Sequence, residues 1–428
     1  MNAFTEKPTR GISLLSAFRR FFAFVGPGFL VAVGYMDPGN WATDLAGGSE
    51  FGYALLWVIL LSNLMAILFQ HLCIRLYAAT GEDLAQNCRG QYSPLVSKFL
   101  WISAQIGIIA MDLAELLGSA IALQLLFGIP LFFGALITAF DVLLLLAFTR
   151  MGFRWLESFV ALLVFTIAAC IGVELLLARP DFAQVVQGFI PTSAVIQQPG
   201  MLFIALGIVG ATVMPHNLYL HSSIIGTRNF GKTETERKQS IQYATYDSTI
   251  ALSFAFFVNA GLLILSATAF HKVGHPVVDD IREAHRLLDG ALGSNVAAHL
   301  FAIALLASGV NATITGTMAG QIVLEGFLRM RSSAWFVRTC TRFVSLIPAL
   351  LVIGIVGERG VVSLLLWSQV ILSLQLGFAC WPLVRFTSNP KLMGPYLSPG
   401  WIRYGGYTFA FLVICSSIWF IFATLKYS

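Results

Sequence analysis

Apolar residues run along this chain in long blocks separated by short polar stretches. Eleven such blocks approach or exceed the roughly 20 residues that a helix needs to cross about 30 Å of hydrocarbon. They lie near Phe21–Ala46, Tyr53–Leu76, Phe99–Phe127, Pro130–Phe148, Phe153–Leu177, Met201–Ile225, Thr249–Phe270, Asn295–Phe327, Phe343–Val356, Val361–Val384 and Tyr407–Leu425. The ninth is short unless it begins near Val337. The longest polar stretches are "GTRNFGKTETERKQSIQYATYDS" and "HKVGHPVVDDIREAHRLLDGALG", the second with the pattern of a short amphipathic helix. The pattern predicts an all-α membrane protein with eleven transmembrane helices and no soluble domain, so residues 1–428 form one transmembrane unit. The first block is too long for a cleavable signal, has no clear small-residue cleavage site after it, and is read as the first span.

Two blocks are interrupted by residues that break helices. "GYMDPGNWATDL" sets Asp37, Pro38, Gly39 and Asn40 inside the first, and "GIVGATVMPHNLYLHSS" sets Pro215 inside the sixth. Asn217 follows Pro215 at the spacing at which Asn40 follows Pro38. Five spans separate one break from the other, so the two helices run in opposite directions across the membrane. That is the pattern of two inverted five-helix repeats, about residues 20–179 and 199–384, with discontinuous helices 1 and 6 and an extra helix near 406–425.

Composition fits this picture: 57% of positions are hydrophobic and only 11% charged, too little polar material to cover a globular surface. With the N-terminus cytoplasmic, only Arg179, Lys272, Arg282, Arg286, Arg359 and Lys426 of the 26 Lys and Arg fall outside, so every inner loop is basic and the C-terminus faces out. The net charge of +5 is spread over membrane-facing loops, which argues against a nucleic-acid partner. Six scattered cysteines without a CxxC pair read as small apolar residues, not a disulfide framework or zinc site.

The interruptions carry the chemistry. A carbonyl freed from a helix in lipid costs several kcal/mol unless something satisfies it, and a bound cation can do so. Asp37 supplies a negative charge at the first break, and Asn40 a second hard oxygen. Met214, beside Pro215, offers a thioether, which suits transition metals and binds Mg²⁺ or Ca²⁺ poorly. A lone proline kink or methionine is ordinarily structural. An acid at one kink and a soft donor at its symmetric partner favour an ion site.

Both motifs, "GYMDPGNWATDLAGG" and "GATVMPHNLYLHSS", resemble the signatures of the natural resistance-associated macrophage protein (Nramp) family, and the resemblance extends to "MDLAE" and "SQVILSLQL". It implies a leucine-transporter-like fold in a bacterial inner membrane protein. It implies proton-coupled import, by alternating access, of Mn²⁺ and also Fe²⁺ as substrates, with no cofactor and a functional monomer. Carried over by motif, Asp37, Asn40 and Met214 become metal ligands, with the backbone carbonyls of Gly34 and Ala211. Gln369 joins them in some states, with Gln375 the fallback. Gly377 departs from the family, where proline is expected.

Proton coupling requires titratable groups in the bundle. Asp112 and Glu115 stand three residues apart on one helical face, and two close carboxylates resist double ionisation. His216 adjoins the break and His221 lies five residues on. Arg338 and Arg342 near the inner end of the ninth span either take part in this path, as the resemblance implies, or are ordinary interfacial anchors. Asp141, Glu157, Glu174 and Glu325 are expected to pair within the bundle or lie near span ends, and His71 and His299 to be core histidines.

Two same-fold rivals remain, a sodium-coupled amino-acid carrier and a magnesium-transporting relative. The first gives Asp37 and Met214 no shared role, and Met214 argues against the second. A channel would conduct without a proton gradient. The protease motifs HExxH and GxGD are absent, so an enzyme is not expected.

Overall fold

The computed structural model describes residues 26–140, 153–271, 278, 280–293, 296–330, 334–357 and 359–427, and these are helical with no strands among them. In chain order the helices are α1 Pro27–Ala32, α2 Pro38–Phe51, α3 Leu56–Thr80, α4 Leu84–Gln91, α5 Pro94–Phe127, α6 Leu131–Thr138, α7 Phe153–Ala178, α8 Phe182–Gln187 and α9 Ala194–Gln197. There follow α10 Pro199–Val213, α11 Pro215–Ile224, α12 Glu234–Ser266, α13 Ile281–Leu292, α14 Ala297–Leu328, α15 Ala334–Ile355, α16 Arg359–Thr387, α17 Pro390–Met393 and α18 Gly400–Tyr427.

Within the described residues each expected apolar block falls on helix, residues 21–25 of the first and Asn295 of the eighth lying outside them. The fourth does so only as far as Thr138, because residues 141–152, Asp141 among them, lie outside the described residues. Among the described residues, eight stretches are long and apolar enough to cross a bilayer, and Pro27–Met36 and Thr339–Ile355 are shorter apolar helices. The ninth block is longer than its apolar core, since α15 begins at Ala334, and α13 is the amphipathic helix expected in the second long polar stretch.

Both interruptions are real breaks. After α1 a 3₁₀ turn, Val33–Met36, ends at Asp37, whose ψ of 167° is extended, and Pro38 opens α2 as its first residue. Pro has no amide to lose at that position, so it ends one helix and starts the next at little cost. Asp37 caps α2 by accepting from the Asn40 amide. At the second break Met214 has φ 32° and ψ 104° between α10 and α11. A non-glycine residue held there costs on the order of 1–3 kcal/mol and persists only where its surroundings enforce it.

The broken helices sit in the middle of the bundle. α1 and α2 pack against α12, and α2 also against α10, while α16 crosses α10, α2 and α5. Trp41, fully buried on α2, meets Phe301 of α14 edge to face at 4.9 Å. Such a pair adds about 1 kcal/mol and fixes the roll of the half-helix.

Candidate metal site

The two breaks meet. Asn40 Nδ2 donates to Asp37 Oδ1 at 2.7 Å and to the Ala211 carbonyl of α10 at 2.9 Å, while the Asn40 backbone amide donates to the same carboxylate oxygen at 2.8 Å. Asp37, Ala211 and Met214 are 0% exposed and Asn40 1%, so these residues are shielded from solvent. Asp37 Oδ2 has no hydrogen-bond partner among the described residues. A buried carboxylate oxygen left this way is costly, and it is where a cation would be welcome.

Freed carbonyls at the first break find side chains. Asn259 Nδ2 of α12 donates to Tyr35 O at 2.8 Å and to Asn40 Oδ1 at 3.2 Å, and Ser308 Oγ of α14 donates to Met36 O at 2.5 Å. This is how non-helical backbone survives at membrane depth. Gly34 lies in the 3₁₀ turn with its α-carbon against Asn217, and any Cβ there would collide with the Asn217 amide. Asn217 Nδ2 in turn contacts Met214 Sδ at 3.7 Å.

Gly39 serves α16 in the same way, since a Cβ would run into the Gln369 amide. Gln369 therefore lies beside the break, with Nε2 donating to Ser368 Oγ at 2.9 Å and Oε1 without a partner among the described residues. Gln375 lies instead against Gly107 of α5, so the fallback residue is turned away from the break. Among the described residues, no group of three His, Cys, Asp or Glu gathers to hold a metal. The donors at the two breaks are one carboxylate, side-chain amides, a backbone carbonyl and, beside Asn217, a thioether. That is a mixed hard and soft set.

Asp112 and Glu115 are both 0% exposed on α5, and Arg342 of α15 reaches them. Its Nη1 donates to the Asp112 carbonyl at 2.8 Å and stands 3.7 Å from Glu115 Oε2, and its Nη2 donates to Thr313 Oγ1 at 3.0 Å. At 1% exposure Arg342 is not an interfacial anchor. It meets Asp112 through the backbone, which residue spacing does not reveal. Arg338 is on α15, but its side chain lies outside the described residues.

His216 follows Pro215 on α11, 2% exposed, with neither ring nitrogen bonded among the described residues. His221 Nδ1 donates to Gln70 Oε1 at 2.6 Å, and Gln70 Nε2 donates to Tyr35 Oη. The acceptor-only amide oxygen fixes the proton on Nδ1. Gln70, Tyr35 and Asn259 were not singled out by sequence. Asn217 was visible only as the counterpart of Asn40. Of the remaining polar residues, Glu157 pairs with Arg228, Glu325 accepts from Gln321 at 2.9 Å and His71 bonds Thr245 at 3.0 Å, whereas His299 is exposed and so is not a core histidine. Glu174 is fully buried near the end of α7.

Residues 28–423 match the model of a family described as natural resistance-associated macrophage protein-like. The divalent metal cation transporter MntH of Bradyrhizobium diazoefficiens is 56% identical over 400 residues, 93% of this chain and 88% of that protein. A manganese transporter of Eremococcus coleocola superposes with a TM-score of 0.87 at 36% identity, covering 96% of this chain and 88% of that one. MhsT, solved in complex with L-phenylalanine, has a TM-score of 0.58 at 16% identity over 91% of this chain and 98% of that one, a likeness of fold alone. The fold is thus leucine-transporter-like. With nearly its whole length matched by the family model and by a relative at 56% identity, the chain belongs to the Nramp family.

Proposed function

We propose that this membrane protein imports divalent transition-metal ions, Mn²⁺ first and Fe²⁺ also, together with protons, by alternating access. It is a transporter and not an enzyme, and the ion is its cargo, not a cofactor. The relatives named for divalent metal and manganese transport support the reading. The observation that carries it is the Asn40 amide held between Asp37 Oδ1 and Ala211 O, one oxygen from each broken helix.

Asn40 Nδ2 there takes the place of a cation, a donor between two oxygens. Loading the ion turns the amide so that Oδ1 faces Asp37 and Ala211, which breaks the 3.2 Å bond from Asn259. Met214 adds sulfur, whose polarisability favours Mn²⁺ and Fe²⁺ over the more abundant hard ions. Gly34 O and the Gln369 side chain complete the shell as the helices move. Protons leave through Asp112 and Glu115, with Arg342 and Arg338 biasing their charge, while His216 and His221 carry protons along α11. The α1–α7 and α10–α16 segments act as two inverted units, about residues 20–179 and 199–384, with α18 outside them. The protein works as a monomer in the bacterial inner membrane, N-terminus in the cytoplasm and C-terminus outside.

In proteoliposomes, Mn²⁺ uptake should rise when the outside is made acidic, and Asp37→Ala should reduce it to the level of empty vesicles. Uptake indifferent to the pH gradient would mean a channel or uniporter. Wild-type uptake by Asp37→Ala would remove the ligand assignment.

A further inference from the structure

A groove of about 670 Å³ runs between α5, α16 and α18, away from the metal site. Its walls are apolar, with Val96 and Phe99 from α5, Phe378 and Trp381 from α16 and Ile418 from α18. Gly377 lies on its floor, where a Cβ would come within 3.0 Å of Ile414 Cγ1, so the missing side chain lets α16 and α18 close beneath it. That glycine stands where the family resemblance leads one to expect proline.

One end of the groove is cationic. Arg385 lines it, exposed, with its guanidinium 5.4 Å from the Tyr92 ring centre, and it makes no ion pair among the described residues. Arg385 also hydrogen-bonds the Tyr92 side chain, and the remaining N–H groups of its five-donor guanidinium are left for a planar or tetrahedral anion. Tyr92 also packs on Phe386 at 5.4 Å, which brings the start of α5 to the end of α16. Lys98, one turn into α5, is exposed at the same end and likewise unpaired among the described residues.

Length identifies the occupant. From Leu374 at the inner end to Arg385 at the mouth, α16 rises about 16 Å at 1.5 Å per residue, half of the roughly 30 Å hydrocarbon core. The apolar part therefore matches one leaflet, and the cation falls at headgroup level, two residues before α16 ends. A helix from a second copy would fill the walls but leave Arg385 without an anion.

We infer that this groove is a binding site for an anionic diacyl phospholipid, one acyl chain lying along α16 and the phosphate held by Arg385. The orientation proposed above places it in the cytoplasmic leaflet. Only that detail rests on the functional reading, because lipid retention is measured without transport.

The test uses detergent-purified, delipidated full-length protein exposed to dioleoyl phosphatidylglycerol or dioleoyl phosphatidylcholine, with bound lipid counted by native mass spectrometry. Wild type should retain phosphatidylglycerol over phosphatidylcholine. Arg385→Gln should lower phosphatidylglycerol retention about fivefold, as for one cation at a lipid surface, without altering phosphatidylcholine. Ile418→Trp, a lipid-facing change that fills the groove, should lower retention of both. Equal retention of the two lipids by wild type would overturn the site, as would either variant behaving as wild type, or a dimer whose Ile418→Cys residues cross-link across the groove.

Discussion

Asn40 and Ala211 lie 171 residues apart in sequence, yet the side chain of one donates to the carbonyl of the other at 2.9 Å. That bond ties the start of α2 to the end of α10 and makes one site of two broken helices. Both partners are buried, so the bond is made in a medium that strengthens it and punishes its loss.

Met214 bears on selectivity. Met214→Ala removes sulfur but leaves Asp37, Asn40 and the Ala211 carbonyl, a hard-donor set. Mn²⁺ uptake should persist with an apparent affinity weaker by about tenfold, roughly 1.4 kcal/mol. Ca²⁺ or Mg²⁺ should begin to compete with Mn²⁺ in the same liposomes. Competition unchanged from wild type would make the thioether a packing element.

The role proposed for Glu115 in proton coupling can be tested by substitution, and the choice of residue matters. An apolar residue would strip Arg342 of a charged neighbour in the core, a change that costs about 3–5 kcal/mol. Glu115→Gln removes the charge and the titration but keeps the shape and an amide oxygen that can still accept from Arg342, so Arg342 is left with a polar neighbour. It should fold normally, bind Mn²⁺ and lose most of the acid stimulation of uptake. A wild-type pH profile would take Glu115 out of the proton path.

Asp83 makes a prediction outside the membrane. It caps α4 by accepting from the Gln86 amide at 2.8 Å, and the next amide, of Leu84, donates to Ser222 Oγ of α11 at 3.0 Å. Burial pushes its carboxyl up from 3.8 to about 6, against the lowering effect of the Gln86 and Ala85 amides. The folded form then binds more protons than the unfolded form between pH 3.8 and about 6, so this group's contribution to stability falls as pH rises through that window. Asp83→Asn, neutral throughout and still able to cap, should be more stable than wild type at pH 7.5. Its advantage should shrink by about 1.4 kcal/mol at pH 5. Thermal melts at the two pH values read the difference, and an offset independent of pH would contradict it.

The helices and their breaks were legible because each has a local cause. Long apolar blocks must be helical in lipid, and Pro38 and Pro215 cannot continue the turn before them. Asp37, Asn40 and Met214 were legible for the same reason, as polar or soft groups beside those prolines. Asn259 was not, because its role is a contact to Asn40 made 219 residues away, and nothing near it in sequence marks it. Gln70 was hidden likewise, as an amide within α3 whose partners, Tyr35 and His221, belong to the two broken helices. Arg342 was ambiguous for a different reason. Its place near a span end fits an anchor, and only its burial against α5 decides otherwise.

Anomalous scattering from Mn²⁺ soaked into crystals locates the ion without relying on transport. A single strong peak should lie within bonding reach of Asp37, Asn40, the Ala211 carbonyl and Met214, and should vanish in Asp37→Ala. A peak elsewhere in the bundle, or one at this place that survives the loss of Asp37, would contradict the joint site.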